Sequence, residues 1–263
     1  MSESTLSEIL SAIDSADAKT TVTQQWMQGR AAFGGLGAAM AATGMRNALP
    51  EGKSMRSLMV SFVGPIPAEE VTVKSELMRE GKNVSQVTSR IMAGDNICLH
   101  ASAAFGSARD TKTASPVAEY KPEPRDSVPV LDASQRKLPP FIGNFDVHWT
   151  GGGIPLSGTG DRRLGQWVRH ATDMSAFPLE KIIAIGDIPP PIMMAHYTHP
   201  VRTSSLSWSL EFVKPAEEVE SDWFYLDYTL DAAAGGYCQQ SGMIFSEDGE
   251  LVALSRQCMT YFE

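Results

Sequence analysis

Ser61-Phe-Val-Gly-Pro65 and Glu211-Phe-Val-Lys-Pro215 place one Phe-Val-x-Pro unit in each half of a 263-residue chain. Each unit closes a run with strand character, and the proline ends it because proline has no N–H to give a ladder. Beyond each unit the two halves keep the same order of features. A β-rich segment comes next, Val71 to Arg79 in one half and Trp223 to Asp231 in the other. A glycine turn succeeds it, at Gly81 and at Gly235-Gly236. Two further strands then join through tight-turn residues, Ala93-Gly94-Asp95 and Glu247-Asp248-Gly249. The shared order of five features predicts an internal repeat.

Each half carries a helix ahead of its strands. Phe33-Gly34-Gly35 opens Leu36 to Leu49, whose alanines and glycines let neighbouring backbones come close, so this helix is expected to be buried on most sides. In the second half the helical candidates are Gln166 to Met174 and Pro178 to Ile185. Pro178 suits a first helical position, and Pro189, Pro190 and Pro191 stop any continuation. The later strands alternate. Leu206, Trp208, Leu210 and Phe212 oppose Ser205, Ser207, Ser209 and Glu211; Phe224, Leu226, Tyr228 and Leu230 oppose Asp227, Thr229 and Asp231. An antiparallel sheet with one dry and one polar face fits both. Between the halves, Ala114 to Pro140 holds Pro116, Pro122, Pro124, Pro129, Pro139 and Pro140, a density that predicts an irregular connector. A glycine-rich loop runs from Trp149 to Gly160. The expected division is 20–113, a connector 114–144, and 145–263.

Composition and motifs remove several function classes. Apolar residues make up 43% and charged residues 20%, enough apolar surface for a folded chain. Lys plus Arg is 22 against 31 Asp plus Glu, net −9, with no basic stripe, so nucleic acid is not an expected partner. Cys98, Cys238 and Cys258 form no Cys-x-x-Cys pair, which argues against a disulfide framework and a thiolate zinc site. No apolar run is long enough to span a membrane. Met1 to Asp14 lacks the basic flank and apolar stretch of a signal peptide, so the expected location is the cytoplasm. There is no P-loop and no Gly-x-Ser-x-Gly elbow. Gly35-Leu-Gly37 has Met40 where a dinucleotide fingerprint needs its third glycine. His196 and His199 lie beside prolines in a loop rather than on a helix face, so no metal is expected there; no cofactor is expected.

One helix followed by hairpin-linked strands, twice over, resembles a tandem hotdog, an α+β fold with two antiparallel sheets each wrapped around a central helix. Phe33-Gly34-Gly35, Arg79 to Asn83, Arg169 to Met174 and above all Gly242 to Gln257 carry a closer resemblance, to acyl-CoA thioesterase II, the TesB-like family. Phe33-Gly34-Gly35 looks like the start of that family's central helix. Arg79-Glu80-Gly81-Lys82-Asn83 resembles its Arg-Asp-Gly turn, and Arg169-His-Ala-Thr-Asp-Met174 its Ala-Ser-Asp segment. Gly242-Met-Ile-Phe-Ser-Glu-Asp-Gly-Glu-Leu-Val-Ala-Leu-Ser-Arg-Gln257 resembles the family's Gly-x-Ile-Tyr-x-x-Asp-Gly-x-Leu-Val-Ala-x-x-x-Gln.

The resemblance implies hydrolysis of acyl-CoA to free acid and CoA, a place in fatty-acid metabolism, and further self-association as a homodimer or larger assembly. In the family an Asp, a Ser or Thr and a Gln hold the attacking water. Gln257 falls on the Gln, Ser207 where the Asp is expected, and Asp231 where the Ser or Thr is expected, so carboxylate and hydroxyl are exchanged. The expectation is that Ser207, Asp231 and Gln257 converge on one water with Asp231 as general base. The amides near Gly34 and Gly35 would bind the oxyanion. The exchange leaves open a second class, a non-catalytic acyl-CoA or acyl-chain binding protein on the same fold.

Overall fold

The computed structural model describes residues 3–50, 52–116, 120–131 and 138–262. The first half contains α1 (Leu6–Ser11), β1 (Asp17–Thr21), β2 (Met27–Gln28), β3 (Ala31–Ala32), α2 (Gly34–Asn47), β4 (Ser54–Phe62), β5 (Glu70–Glu80), β6 (Val84–Ala93) and β7 (Asn96–Gly106). The second contains β8 (Phe145–Gly152), β9 (Arg163–His170), α3 (Pro178–Gly186), β10 (Arg202–Phe212), β11 (Phe224–Ala234), β12 (Tyr237–Ser246) and β13 (Leu251–Phe262). Short turns favour antiparallel neighbours. Apart from the small β2-β3 pair, the strands form one eleven-stranded sheet, ordered β1-β5-β6-β7-β4-β10-β13-β12-β11-β9-β8. Its pairs are antiparallel throughout. This is the expected tandem hotdog, with the two sheets joined edge to edge through β4 and β10.

The repeat extends to single hydrogen bonds. Past Phe62, the Val63 and Gly64 N–H groups both donate to Cys98 O; past Phe212, those of Val213 and Lys214 both donate to Val252 O. The hairpin glycines Gly94 and Gly249 have φ of 56° and 88°, which a side chain would resist.

From Gly35 to Met45 every residue of α2 is buried. Its small residues follow from that: a Cβ on Gly44 would come within 2.7 Å of the Val73 side chain of β5. α3 packs along α2, and both lie against the sheet. α1 starts in a Thr5–Glu8 capping box and buries Leu6, Ile9 and Leu10.

One expected helix is a strand. Gln166 to Met174 overlaps β9, which pairs with β8 on one side and β11 on the other. Leu164 to Val168 are all buried, so cross-strand partners rather than local preference set the conformation. Of the connector, residues 117–119 and 132–137 lie outside the described residues. The stretch around Glu123 and Arg125 lies over the second half: Trp167 Nε1 donates to Glu123 O at 3.0 Å, and the Arg125 guanidinium sits 4.5 Å from the Trp223 ring centre. The end of the connector packs on the first half, where Phe141 stacks on Phe33 at 4.2 Å.

Candidate active site

α2 and α3 run antiparallel, so the start of each helix meets the end of the other. Where α2 starts, no side chain caps it, and its first amides lack intrahelical acceptors. Asp187 is the residue that ends α3. The Gly35 N–H donates to its carboxylate. Gly34 leaves room for that approach, since a Cβ there would sit 2.7 Å from Asp187 Oδ2 and 2.8 Å from the Phe62 ring. A carboxylate is disfavoured at the end of α3 and favoured at the start of α2, because the two helix dipoles point opposite ways.

Gln257 comes from β13. Its Nε2 donates to Asp187 Oδ1 at 2.5 Å, and its Oε1 accepts from Gln240 Nε2 of β12 at 3.1 Å. Gln240 Oε1 in turn accepts the Ile192 N–H at 3.1 Å. The register explains why both glutamines face inward. Leu230, Gln240, Gln257, Trp208 and Val60 are paired in one row across β11, β12, β13, β10 and β4, and all five are buried. Asp187 keeps some accessible surface, yet burial, set against the Gln257 and Gly35 hydrogen bonds, pushes its carboxyl up to about 7. A carboxyl tuned to that value is ionised in a large fraction of molecules at neutral pH and can take a proton there.

The opposite corner, where α3 starts and α2 ends, is closed. Pro178 occupies the first position of α3 and supplies no N–H. The Glu180 carboxylate is fully buried; its Oε1 accepts from Thr43 Oγ1 at 3.1 Å and from Arg46 Nε at 2.8 Å. Its Oε2 has no hydrogen-bond partner among the described residues, and burial raises the carboxyl's affinity for a proton.

Three of the five expected site residues, Gln257, Gly34 and Gly35, meet around Asp187. Ser207 and Asp231 do not, which corrects the expected convergence. Ser207 is exposed beside buried Trp208 and pairs with Ser61 and Cys258. Asp231 is exposed at the bulge after Leu230, where it accepts from Ser241 Oγ at 3.0 Å and lies 3.9 Å from Arg256. The reason is parity: successive side chains alternate across a sheet. The polar face of these strands is the outer face, whereas the site is built from polar residues on the dry face. Gln240 was legible as a glutamine in phase with Cys238, Gly242 and Ile244. Asp187 was legible as an acid closing an apolar helix, at its electrostatically worse end. Arg79 and Glu80 end β5 and Gly81 to Asn83 make the turn into β6, while Arg169 and His170 end β9, with burial lowering the His170 imidazole to about 4.

Solved structures share this architecture. A hot dog fold protein of unknown function from Alicyclobacillus acidocaldarius superposes with a TM-score of 0.84 at 19% identity, covering 96% of this chain and 98% of that one. Acyl-CoA thioesterase II TesB2 from Mycobacterium marinum gives 0.74 at 20% identity, with 96% and 98% covered. The tesB protein of Mycobacterium avium subs. paratuberculosis gives 0.76 at 18%, with 98% and 100% covered. No curated protein matches the chain in sequence. Among family models, the acyl-CoA thioesterase N-terminal domain matches residues 22–106 and the acyl-CoA thioesterase C-terminal domain residues 121–261. With both halves matched in order, and the helix start and glutamine of the resemblance meeting at one carboxylate, the chain belongs to the acyl-CoA thioesterase family.

Proposed function

We propose that the protein hydrolyses acyl-CoA thioesters with Asp187 as general base. The observation that carries this is a carboxyl raised to about 7, held between the Gly35 amide and Gln257 at the open start of a helix. In this reading water attacks the thioester carbonyl while Asp187 takes its proton. Gln257 orients Asp187 and the water. The Gly34 amide and the positive end of α2 stabilise the oxyanion. The tetrahedral intermediate then breaks its C–S bond, and the proton held by Asp187 passes to the departing sulfur, giving free acid and CoA thiol. Both halves are required, since 20–113 supplies the helix start and 145–263 supplies Asp187 and Gln257.

The test is release of CoA thiol over a series of acyl chain lengths. Asp187→Asn is expected to lower kcat by about 10²–10⁴-fold, the usual share of a general base, while Asp231→Asn on the outer face keeps the parent rate. An Asp187→Asn variant as fast as the parent would refute the assignment of the base. A parent that binds acyl-CoA of every length and releases no thiol would establish the binding-protein reading instead.

A further inference from the structure

Among the described residues Gln240 hydrogen-bonds to Ile192 and Gln257 rather than to Asp187, yet it decides which end of Gln257 faces the carboxylate. The chain of constraints begins at a backbone group. An N–H can only donate, so the Ile192 amide requires an acceptor, and Gln240 presents Oε1 to it at 3.1 Å. Its amino group is thereby turned toward Gln257, which must present its own oxygen, at 3.1 Å. The Gln257 amino group then has one direction left, toward Asp187 Oδ1. A donor aimed at a carboxylate favours its charged form; an amide oxygen in the same place would favour the protonated form.

We infer that Gln240 is a positioning residue which, anchored on the Ile192 amide, holds Gln257 as an obligate donor to Asp187 and so keeps the base ionisable at neutral pH. This rests on the proposed role of Asp187. Gln240 is 0% exposed and Gln257 3% exposed, so water does not substitute for either partner. Among the described residues, the groups shown against Asp187 are the Gly35 amide and Gly34 of α2, the Phe62 ring of β4 and Gln257 of β13, with the Tyr228 hydroxyl of β11 close enough to feel its charge. The Tyr228 hydroxyl of β11 donates next door to Gly186 O at 2.7 Å. Among the described residues no Lys, Arg or His pairs with Asp187. The orientation of one amide is therefore a main control on its charge.

The experiment is a titration of Asp187 followed by the ¹³C resonance of its labelled carboxyl, assigned with Asp187→Asn, alongside the pH profile of thiol release. Gln240→Met keeps the volume and removes both ends of the relay. It is expected to raise the Asp187 midpoint by about one pH unit, as for loss of one hydrogen bond to a charged group. The acid limb of kcat should move by the same amount with KM nearly unchanged. Introduced into a Gln257→Met background, Gln240→Met is expected to add nothing, because it acts through Gln257. An unchanged midpoint in Gln240→Met, or an equal shift with and without Gln257, would overturn the proposal. Gln240→Leu replaces it if methionine disturbs folding. In the parent, a Gln257 side-chain nitrogen resonance that ignores the Asp187 midpoint would refute the near link without any substitution. The carboxyl titration needs no turnover, so a parent without thioesterase activity removes the functional reading while the relay is still tested.

Discussion

A carboxyl raised to about 7 in the folded protein, as at Asp187, should leave a signature in stability that owes nothing to catalysis. An ordinary Asp titrates near 3.8. Between these two values the folded chain keeps a proton that the unfolded chain has already lost. Folding is then linked to proton uptake, and stability falls as pH rises. Below pH 3.8 this residue carries no penalty; above about 7 the full penalty is present, roughly 4 kcal/mol for three units at 1.36 kcal/mol each. Across the accessible window from pH 5 to pH 8 the change is about 2.5 kcal/mol, and the partial exposure of Asp187 reduces it to about 2. Asp187→Asn does not titrate, and every other group is common to both proteins and cancels. Urea unfolding at pH 5, 6, 7 and 8 should show the parent losing about 2 kcal/mol relative to Asp187→Asn across that range. Parallel stability curves would mean that the folded carboxyl titrates normally and that Asp187 is not a tuned base.

At the closed corner, Arg46→Met strips the cation from buried Glu180. It is expected to lower stability at pH 7 by about 2–3 kcal/mol, below the range for a fully buried pair because Arg46 is partly exposed. Adding Glu180→Gln should recover most of the loss in urea unfolding; a double variant as unstable as Arg46→Met would show that charge is not the cause. At the open corner, Gly34→Ala drives a methyl toward Asp187 Oδ2 and the Phe62 ring. Thiol release should fall by about tenfold or more, with unfolding stability lowered by about 1–3 kcal/mol. A Gly34→Ala variant with the parent's rate would show that the close approach is not needed, and circular dichroism checks that the fold is retained.

The duplicated Phe-Val-x-Pro units, glycine turns and hairpins were legible because each is a local instruction. Proline denies a ladder its donor, and a glycine at positive φ selects a turn wherever the chain goes afterwards. The same holds for Phe33-Gly34-Gly35, whose need for small residues is met at one helix start, and for Gln257, which the resemblance assigned. The segment at Gln166 was misread as helix because its conformation follows from two neighbours, β8 and β11, distant in sequence. Ser207 and Asp231 were misplaced because the polar face of their strands is the outer one, whereas the site draws on two buried glutamines of the dry face.

By itself the sequence determined the repeat, the antiparallel hairpins, the two central helices and two ends of the site. Only the tertiary structure decided that the end of α3 meets the start of α2. That contact brings Asp187 to Gly35 and turns two inward glutamines into a relay. A local signal constrains torsions and short-range hydrogen bonds, whereas a site is a meeting of residues far apart in the chain, set by which faces the packing buries together.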